Sequence, residues 1–255
     1  MRGRDVHDIV LAHQTVERRL INHQQFINVM AHDVRELLRS MQGYVSLAID
    51  EGATTLSEDS LRFLHRAQRG GKRLSILIND LLAFLRADGE AIRVEPVNLG
   101  SLCESVVEDL GELIQEQSAV VTHGMQTTTV MGARVWLRLL LQNLVVNGIK
   151  YARPGVTPMV RIAAQVEGDH VLLTVSDNGV GISVEDQNQL FRPFVRLAST
   201  ASVPGSGLGL VLCQKVAELH GTAIGVESTP GVGSVFSIVL PIVQGADQQA
   251  NQSVF

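Results

Sequence analysis

An unbroken heptad register opens the chain and dictates much of what can follow it. Ile9, His13, Val16, Leu20, His23, Ile27, Met30, Val34, Leu37, Met41, Tyr44 and Ala48 recur in alternating steps of four and three, the spacing of one long helix whose seam must be covered by another. His13, Leu20, Ile27, Val34, Met41 and Ala48 take the a positions, and Val16, His23, Met30, Leu37 and Tyr44 take d. A helix from about Asp5 to Asp50 is expected, well beyond the ~11 to 12 residues of an average globular helix, and oligomerisation follows because such a helix needs a partner for its seam. His13 and His23 on the seam are read as structural residues that fix register at some cost in stability. His32, within AHDVRELLRS, falls at f, opposite the seam. A surface histidine on a coiled coil is ordinarily only solvated, so its meaning depends on what else the chain carries.

GATTLSED interrupts the heptads, with Ser57 placed as the N-cap of a second helix. That helix, LRFLHRAQRGGKRLSILINDLLAFLR, has an apolar face of Leu61, Leu64, Ala67, Leu74, Leu77, Ile78, Leu81, Leu82 and Leu85, locally weakened by Gly70 and Gly71. Two antiparallel helices per chain, doubled by a homodimer, predict a four-helix bundle. The proline-containing segment ADGEAIRVEPVNLG then changes the periodicity, and the domain boundary is placed near Asp88. Beyond it the patterns predict a helix from about Leu99 to Glu116, short strands near Ala119 to Thr122 and Thr127 to Val130, and the apolar helix WLRLLLQNLVVNGIKYA. MVRIAAQV and HVLLTVSD alternate as a hairpin around EGD, and AIGVES and SVFSIVLP pair around TPGVG. The sum is an all-α helical hairpin followed by an α+β two-layer sandwich with helices on one face of a mixed sheet. The expected organisation is a coiled-coil connector over 1–25, the hairpin over 26–88, the sandwich over 89–242 and a polar, disordered tail over 243–255.

Composition removes several classes of function. A net charge of -5 and a pI near 5.9 give no electrostatic reason to bind nucleic acid. Cys103 and Cys213 lie in helical patterns without CxxC spacing, which reads as buried thiols in a reducing compartment and gives no zinc site. No apolar run approaches a membrane span, and MRGRDVHDIV lacks a signal peptide's apolar region. A cytoplasmic chain with no direct membrane insertion is expected.

Four local signals carry chemistry, in one order: NLVVNGIKYA with Asn143, Asn147 and Lys150; DNGVGI with Asp177, Gly179 and Gly181; GSGLGL with Gly205, Gly207, Leu208 and Gly209; and PGVGS with Gly231 and Gly233. Each alone is a common turn or helix start. Together they describe a nucleotide pocket. A strand-ending carboxylate such as Asp177 accepts from the exocyclic amine of adenine, and Gly179 and Gly181 admit backbone close to the base. Asn147 offers magnesium a hard, neutral oxygen, and Lys150 on the same helical face reaches phosphate. Mid-helix placement argues against simple capping by Asn143 and Asn147. Gly205, Gly207 and Gly209 open a helix whose first amides suit phosphates. FRPFVRLASTASVPGS is cationic and reads as a lid anchored by Phe191 and Phe194.

From about Gln24 to Pro241 the sequence resembles the sensor histidine kinases, whose ATP-binding domain belongs to the gyrase, chaperone, kinase and mismatch-repair superfamily with its Bergerat-type sandwich. AHDVRELLRS is similar to the phosphoacceptor box, which implies that His32 is the phosphorylated residue and that Asp33 orients or deprotonates its imidazole. Residues 26–88 then become a dimerisation and histidine phosphotransfer domain, and 89–242 the catalytic ATP-binding domain. The resemblance implies nucleotide contacts from Asn143, Asn147, Lys150, Tyr151, Asp177, Gly179, Gly181, Phe191, Phe194, Gly205, Gly207, Leu208, Gly209, Gly231 and Gly233, with Asn147 on the magnesium. ATP and Mg2+ are the implied cofactors, and a homodimer and the receiver domain of a response regulator the implied partners. Three positions depart from the family's pattern. Leu37 stands where a helix-kinking proline is usual, Glu36 stands where strong phosphatases carry Thr, Asn or Gln, and Gly148 replaces the usual alanine at about 1 kcal/mol of helix propensity. A competing reading is a non-catalytic phosphotransfer or scaffold protein with a degenerate ATP domain. The intact Asn147, Asp177 and glycine boxes oppose it. The segment from Asp5 to Gln25 resembles a connector, so the input is expected from a sensor domain or partner protein outside this chain.

Overall fold

The computed structural model describes residues 34, 36–52, 55–87, 92–124, 128–195, 197, 203 and 205–243, and the chain divides into two units between residues 90 and 91. The connector helix, the seam histidines His13 and His23, and the tail from 244 lie outside the described residues.

In the first unit, helix α1 (36–52) is followed by α2 (Glu58–Ala87). Ser57 Oγ accepts from the Ser60 N–H at 3.2 Å, so the serine caps α2 as its position predicts. Gln42 Nε2 donates to Ser75 Oγ at 3.2 Å and Gln68 Nε2 to Ser46 Oγ at 3.1 Å, which sets the two helices side by side and antiparallel. Gly71 is buried against α1, where a Cβ would sit 3.1 Å from Gln42 Cγ. Leu38 and Leu82 are buried, whereas the seam residues Leu37 and Tyr44 are each 71% exposed in the single chain.

The second unit opens with a strand where a plain connector is expected. β1 (Glu95–Asn98) pairs antiparallel with β3 (Thr129–Gly132), although it holds Pro96. A four-residue pairing at an edge tolerates proline, which only removes one donor. The single helix expected from Leu99 to Glu116 is two, α3 (Leu99–Asp109) and α4 (Gly111–Glu116). Asn98 caps α3, its Oδ1 accepting from Ser101 N–H at 2.9 Å. Leu110, at φ −91° and ψ 4°, leaves the helical region before a low-propensity glycine and packs against the core. β2 (Val120–His123) and β3 begin one and two residues later than their patterns suggest.

Helix α5 (Arg134–Lys150), β4 (Met159–Glu167), β5 (His170–Asp177), the short α6 (Val184–Gln187), α7 (Gly209–Leu219), β6 (Ile224–Thr229) and β7 (Gly233–Pro241) complete the unit. The five-stranded sheet runs β2-β4-β5-β7-β6, with β2 parallel to β4 and the remaining pairs antiparallel. Alternate residues Val160, Ile162, Val171, Leu173, Val175, Phe236, Ile238 and Leu240 point to the helices and are buried. They meet Leu102, Val106, Leu137, Leu140, Leu141, Leu144, Val145 and Val216 in one core. α5 is leucine-rich because it packs on the sheet and also on α3 and α7. This two-layer sandwich is the expected class.

Candidate nucleotide site

The site grows from α5. Its N-cap Ala133 has no side chain to offer, and a residue from the end of α7 compensates: His220 Nε2 accepts from the Ala133 N–H at 2.9 Å, while Nδ1 donates to the Val216 carbonyl at 2.7 Å. These partners assign the neutral tautomer. Burial lowers the His220 pKa, partly opposed by the bond to Val216.

Asn143, Asn147 and Lys150 follow at i, i+4 and i+7, one face of α5, all half-buried. Asn143 Nδ2 donates back to the Leu139 carbonyl at 2.9 Å, and its Oδ1 lies against Gly209, where a Cβ would come within 2.7 Å. Lys150 Nζ is 3.4 Å from the Tyr151 hydroxyl and 4.9 Å from that ring's centre. A Cβ at Gly205 would come within 2.6 Å of the same ammonium. The asparagine face thus lies beside the glycine loop that leads into α7, with Leu208 buried at the junction.

Asp177 ends β5. Its Oδ1 accepts from the Gly179 N–H at 2.8 Å and the Ser234 N–H at 3.2 Å. Burial raises its pKa, and the two backbone bonds pull it down. Gly148 lets α5 approach this carboxylate: a Cβ there would be 2.7 Å from Val160 Cγ2 and 3.1 Å from Asp177 Cβ. Gly179 packs on the Tyr151 carbonyl, which accepts from the Val180 N–H at 2.9 Å. Gly181 has φ +69° and would place a Cβ 2.0 Å from the Thr229 carbonyl, so only glycine fits. Gly233, at φ +141°, is likewise pressed against the Asp177 carbonyl. Gly231 turns the β6–β7 connection and donates to the Val180 carbonyl at 2.7 Å.

One chain of contacts therefore joins Asn143, Lys150, Tyr151, Asp177, Gly179, Gly181, Gly205, Gly209, Gly231 and Gly233, with Asn147 on the same helical face as Asn143 and Lys150. Phe191 is half-buried, but Phe194 is 64% exposed at φ +61°, tied to Gly207 by a backbone bond of 3.2 Å. Residues 196, 198–202 and 204 of the stretch read as a lid lie outside the described residues. His32 and Asp33 also lie outside them. Three participants escaped the sequence reading. Ser234 was legible only through strand register, since it is the direct partner of Asp177 across β5 and β7. His220 and Arg153, whose guanidinium bonds the Asn178 and Gly231 carbonyls, carry no motif.

Cys103 and Cys213 are fully buried, with the Cys103 thiol pushed up to about 12 by burial and by Glu104. Among the described residues no cluster of His, Cys, Asp and Glu suits a metal, and no helix is long and apolar enough to cross a membrane.

Comparison with known proteins adds a second line. Residues 132–244 match the family described as "Histidine kinase-, DNA gyrase B-, and HSP90-like ATPase", and residues 22–90 match "His Kinase A (phospho-acceptor) domain". The chain is 33% identical over 232 residues to cyanobacterial phytochrome A of Nostoc sp., covering 91% of this chain and 30% of that protein. It is 33% identical over 220 residues to sensor protein kinase PmrB of Pseudomonas aeruginosa, covering 84% of this chain and 44% of that one. The chain thus spans under half the length of either relative. Full-length ShkA, solved in complex with AMPPNP, superposes with a TM-score of 0.67 at 25% identity, over 87% of this chain and 46% of that one.

Proposed function

The chain belongs to the sensor histidine kinases, and we propose that it transfers the γ-phosphoryl group of ATP to its own His32 and then to an aspartate of a response regulator. The observation that carries this reading is the setting of Asp177. Its carboxylate is held through Oδ1 by the amides of Gly179 and Ser234, which leaves Oδ2 to accept from the exocyclic amine of adenine.

In this reading Gly179, Gly181, Gly231 and Gly233 bring backbone to the base, and the loop from Gly205 through Leu208 to Gly209 offers the first amides of α7 to phosphate. Lys150, next to Gly205 and Tyr151, meets the phosphate charge. Phe191 and Phe194 stand at the start of the stretch proposed as a lid. A magnesium ion fits Asn147, whose neutral amide oxygen beside Asn143 on one face of α5 suits a hard cation that keeps several waters and takes the rest of its ligands from phosphate. When bound it supplies charge neutralisation for phosphoryl transfer. At His32 a neutral imidazole nitrogen attacks the γ-phosphorus, the bond to the bridging oxygen breaks, ADP leaves, and the imidazole proton passes to Asp33 or to water.

The reading includes a homodimer through residues 26–88, supported by the seam and by the exposure of Leu37 and Tyr44 in the single chain. It includes a sensor domain or protein upstream, and a cytoplasmic location supported by ATP as the substrate. Calorimetric titration with a non-hydrolysable ATP analogue tests the pocket. Wild-type chain binds and Asp177→Asn loses about tenfold or more, the equivalent of one charge-assisted hydrogen bond. Equal affinities place the adenine elsewhere.

A further inference from the structure

Three residues beyond the end of α5, Arg153 donates from Nε to the Asn178 carbonyl at 2.9 Å and from Nη1 to the Gly231 carbonyl at 2.8 Å. Asn178 directly follows Asp177, and Gly231 lies in the turn that leads into Gly233 and Ser234. The same segments also meet through the Val180 N–H to Tyr151, the Gly231 N–H to Val180, and the Ile182 N–H to Ser228 Oγ. Arg153 adds something these bonds lack. Its guanidinium is a rigid planar fork, so two carbonyls bound to it are held at a fixed separation, which a flexible ammonium does not achieve. Bonds from a charged donor are also stronger than neutral ones.

The consequence falls on Asp177. One bond to its Oδ1 comes from Gly179, on the Asn178 side of the clamp, and the other from Ser234, on the Gly231 side. The carboxylate is suspended between the two segments that Arg153 spans, and any change in their spacing turns it. We propose that Arg153 is a positioning residue for purine recognition: without touching nucleotide, it fixes the Asp177 carboxylate in the orientation that meets an exocyclic amine. This rests on the nucleotide reading given above and names a residue outside the motifs that carry it.

The test compares wild type, Arg153→Met, Arg153→Lys and Asp177→Asn, all as full chain. It measures affinity for non-hydrolysable ATP and GTP analogues, phosphorylation rate at saturating ATP, and nucleotide-free thermal unfolding. Arg153→Met weakens ATP-analogue binding about tenfold, with less discrimination against the guanine analogue. Its rate at saturating ATP stays within about twofold of wild type, because orientation of the base is a binding term. Arg153→Lys, with charge enough for one carbonyl, falls between. Wild-type affinity in Arg153→Met or in Arg153→Lys overturns the clamp. So does a joint fall in affinity, saturating rate and unfolding temperature, which marks a general brace. If wild type binds no analogue, or Asp177→Asn binds as well as wild type, the nucleotide reading itself fails and this proposal with it. If wild type binds, Asp177→Asn does not and Arg153→Met is unchanged, only the clamp fails.

Discussion

Asp177 carries its charge against burial, and that opposition separates stability from binding. Its folded pKa is raised above 3.8, so its contribution to stability is greatest below the unfolded value and is lost as pH rises through the folded one. At neutral pH the buried charge costs stability. Asp177→Asn keeps a carbonyl oxygen for the Gly179 and Ser234 amides and removes the charge, so thermal unfolding of the nucleotide-free chain is expected at or above the wild-type temperature while nucleotide affinity falls. For the wild type, affinity for the analogue weakens as pH drops through the raised pKa, because a protonated carboxyl loses an acceptor; titration calorimetry across mild acid reads this directly. His220 runs in the opposite direction. Its pKa lies below 6.5 in the fold, so its contribution is complete above 6.5 and is lost as pH falls through the unfolded value toward the folded one. Protonation would set a second donor against the Ala133 N–H. His220→Ala leaves that amide unpaired and should cost about 1 to 3 kcal/mol in urea unfolding at pH 8, with a smaller cost in mild acid.

At the scale of elements, α5 shows how much chemistry depends on close approach. On helix propensity alone Gly148→Ala gains about 1 kcal/mol. The fold reverses that sign, because the added methyl would lie 2.7 Å from Val160, a buried and stiff β-branched residue, and 3.1 Å from Asp177 Cβ. Gly148→Ala is therefore expected to unfold at a lower temperature and to bind the ATP analogue more weakly, both against wild type under the same buffer. The elements with a strong period were legible in the sequence: α5 from its leucines, β4 and β5 from alternation around EGD, and the Ser57 cap from its place before Glu58 and Asp59. β1 was not, since four residues with a proline carry no periodic signal and become a strand only by pairing with β3. Nor was the break at Leu110, where core packing of a leucine and the following glycine outweigh a continuous helical pattern. The glycines of the pocket were readable as turns, but the neighbours that require them, such as the Thr229 carbonyl at Gly181, belong to tertiary structure. Ser234 and Arg153 were invisible for the same reason: their partners are backbone groups brought close only by the folded sheet.

For the whole molecule, the proposed function places nucleotide binding in the second unit and the phosphoryl acceptor, His32, in the 22–90 match. The heptads give the first consequence: light scattering of the purified chain at tens of micromolar, on the order of ordinary assay concentrations, should report a dimer. Cys103 and Cys213, both buried, should react with a thiol reagent only when the second unit opens, so their labelling rate should fall when ATP analogue and magnesium stabilise it. The phosphorylation rate should fall in mild acid, because the attacking imidazole must be neutral. Chelation of the metal should stop labelling. The most direct measurement is incubation of wild type and His32→Gln with γ-labelled ATP and magnesium, followed by acid and alkali treatment of the labelled protein and a parallel titration of ATP analogue. Acid-labile, alkali-stable phosphate is expected on the wild type, none on His32→Gln, and the same nucleotide affinity in both. Acid-labile phosphate on His32→Gln at the wild-type rate would contradict the assignment of His32 and send the search to another histidine, beginning with His65 on α2.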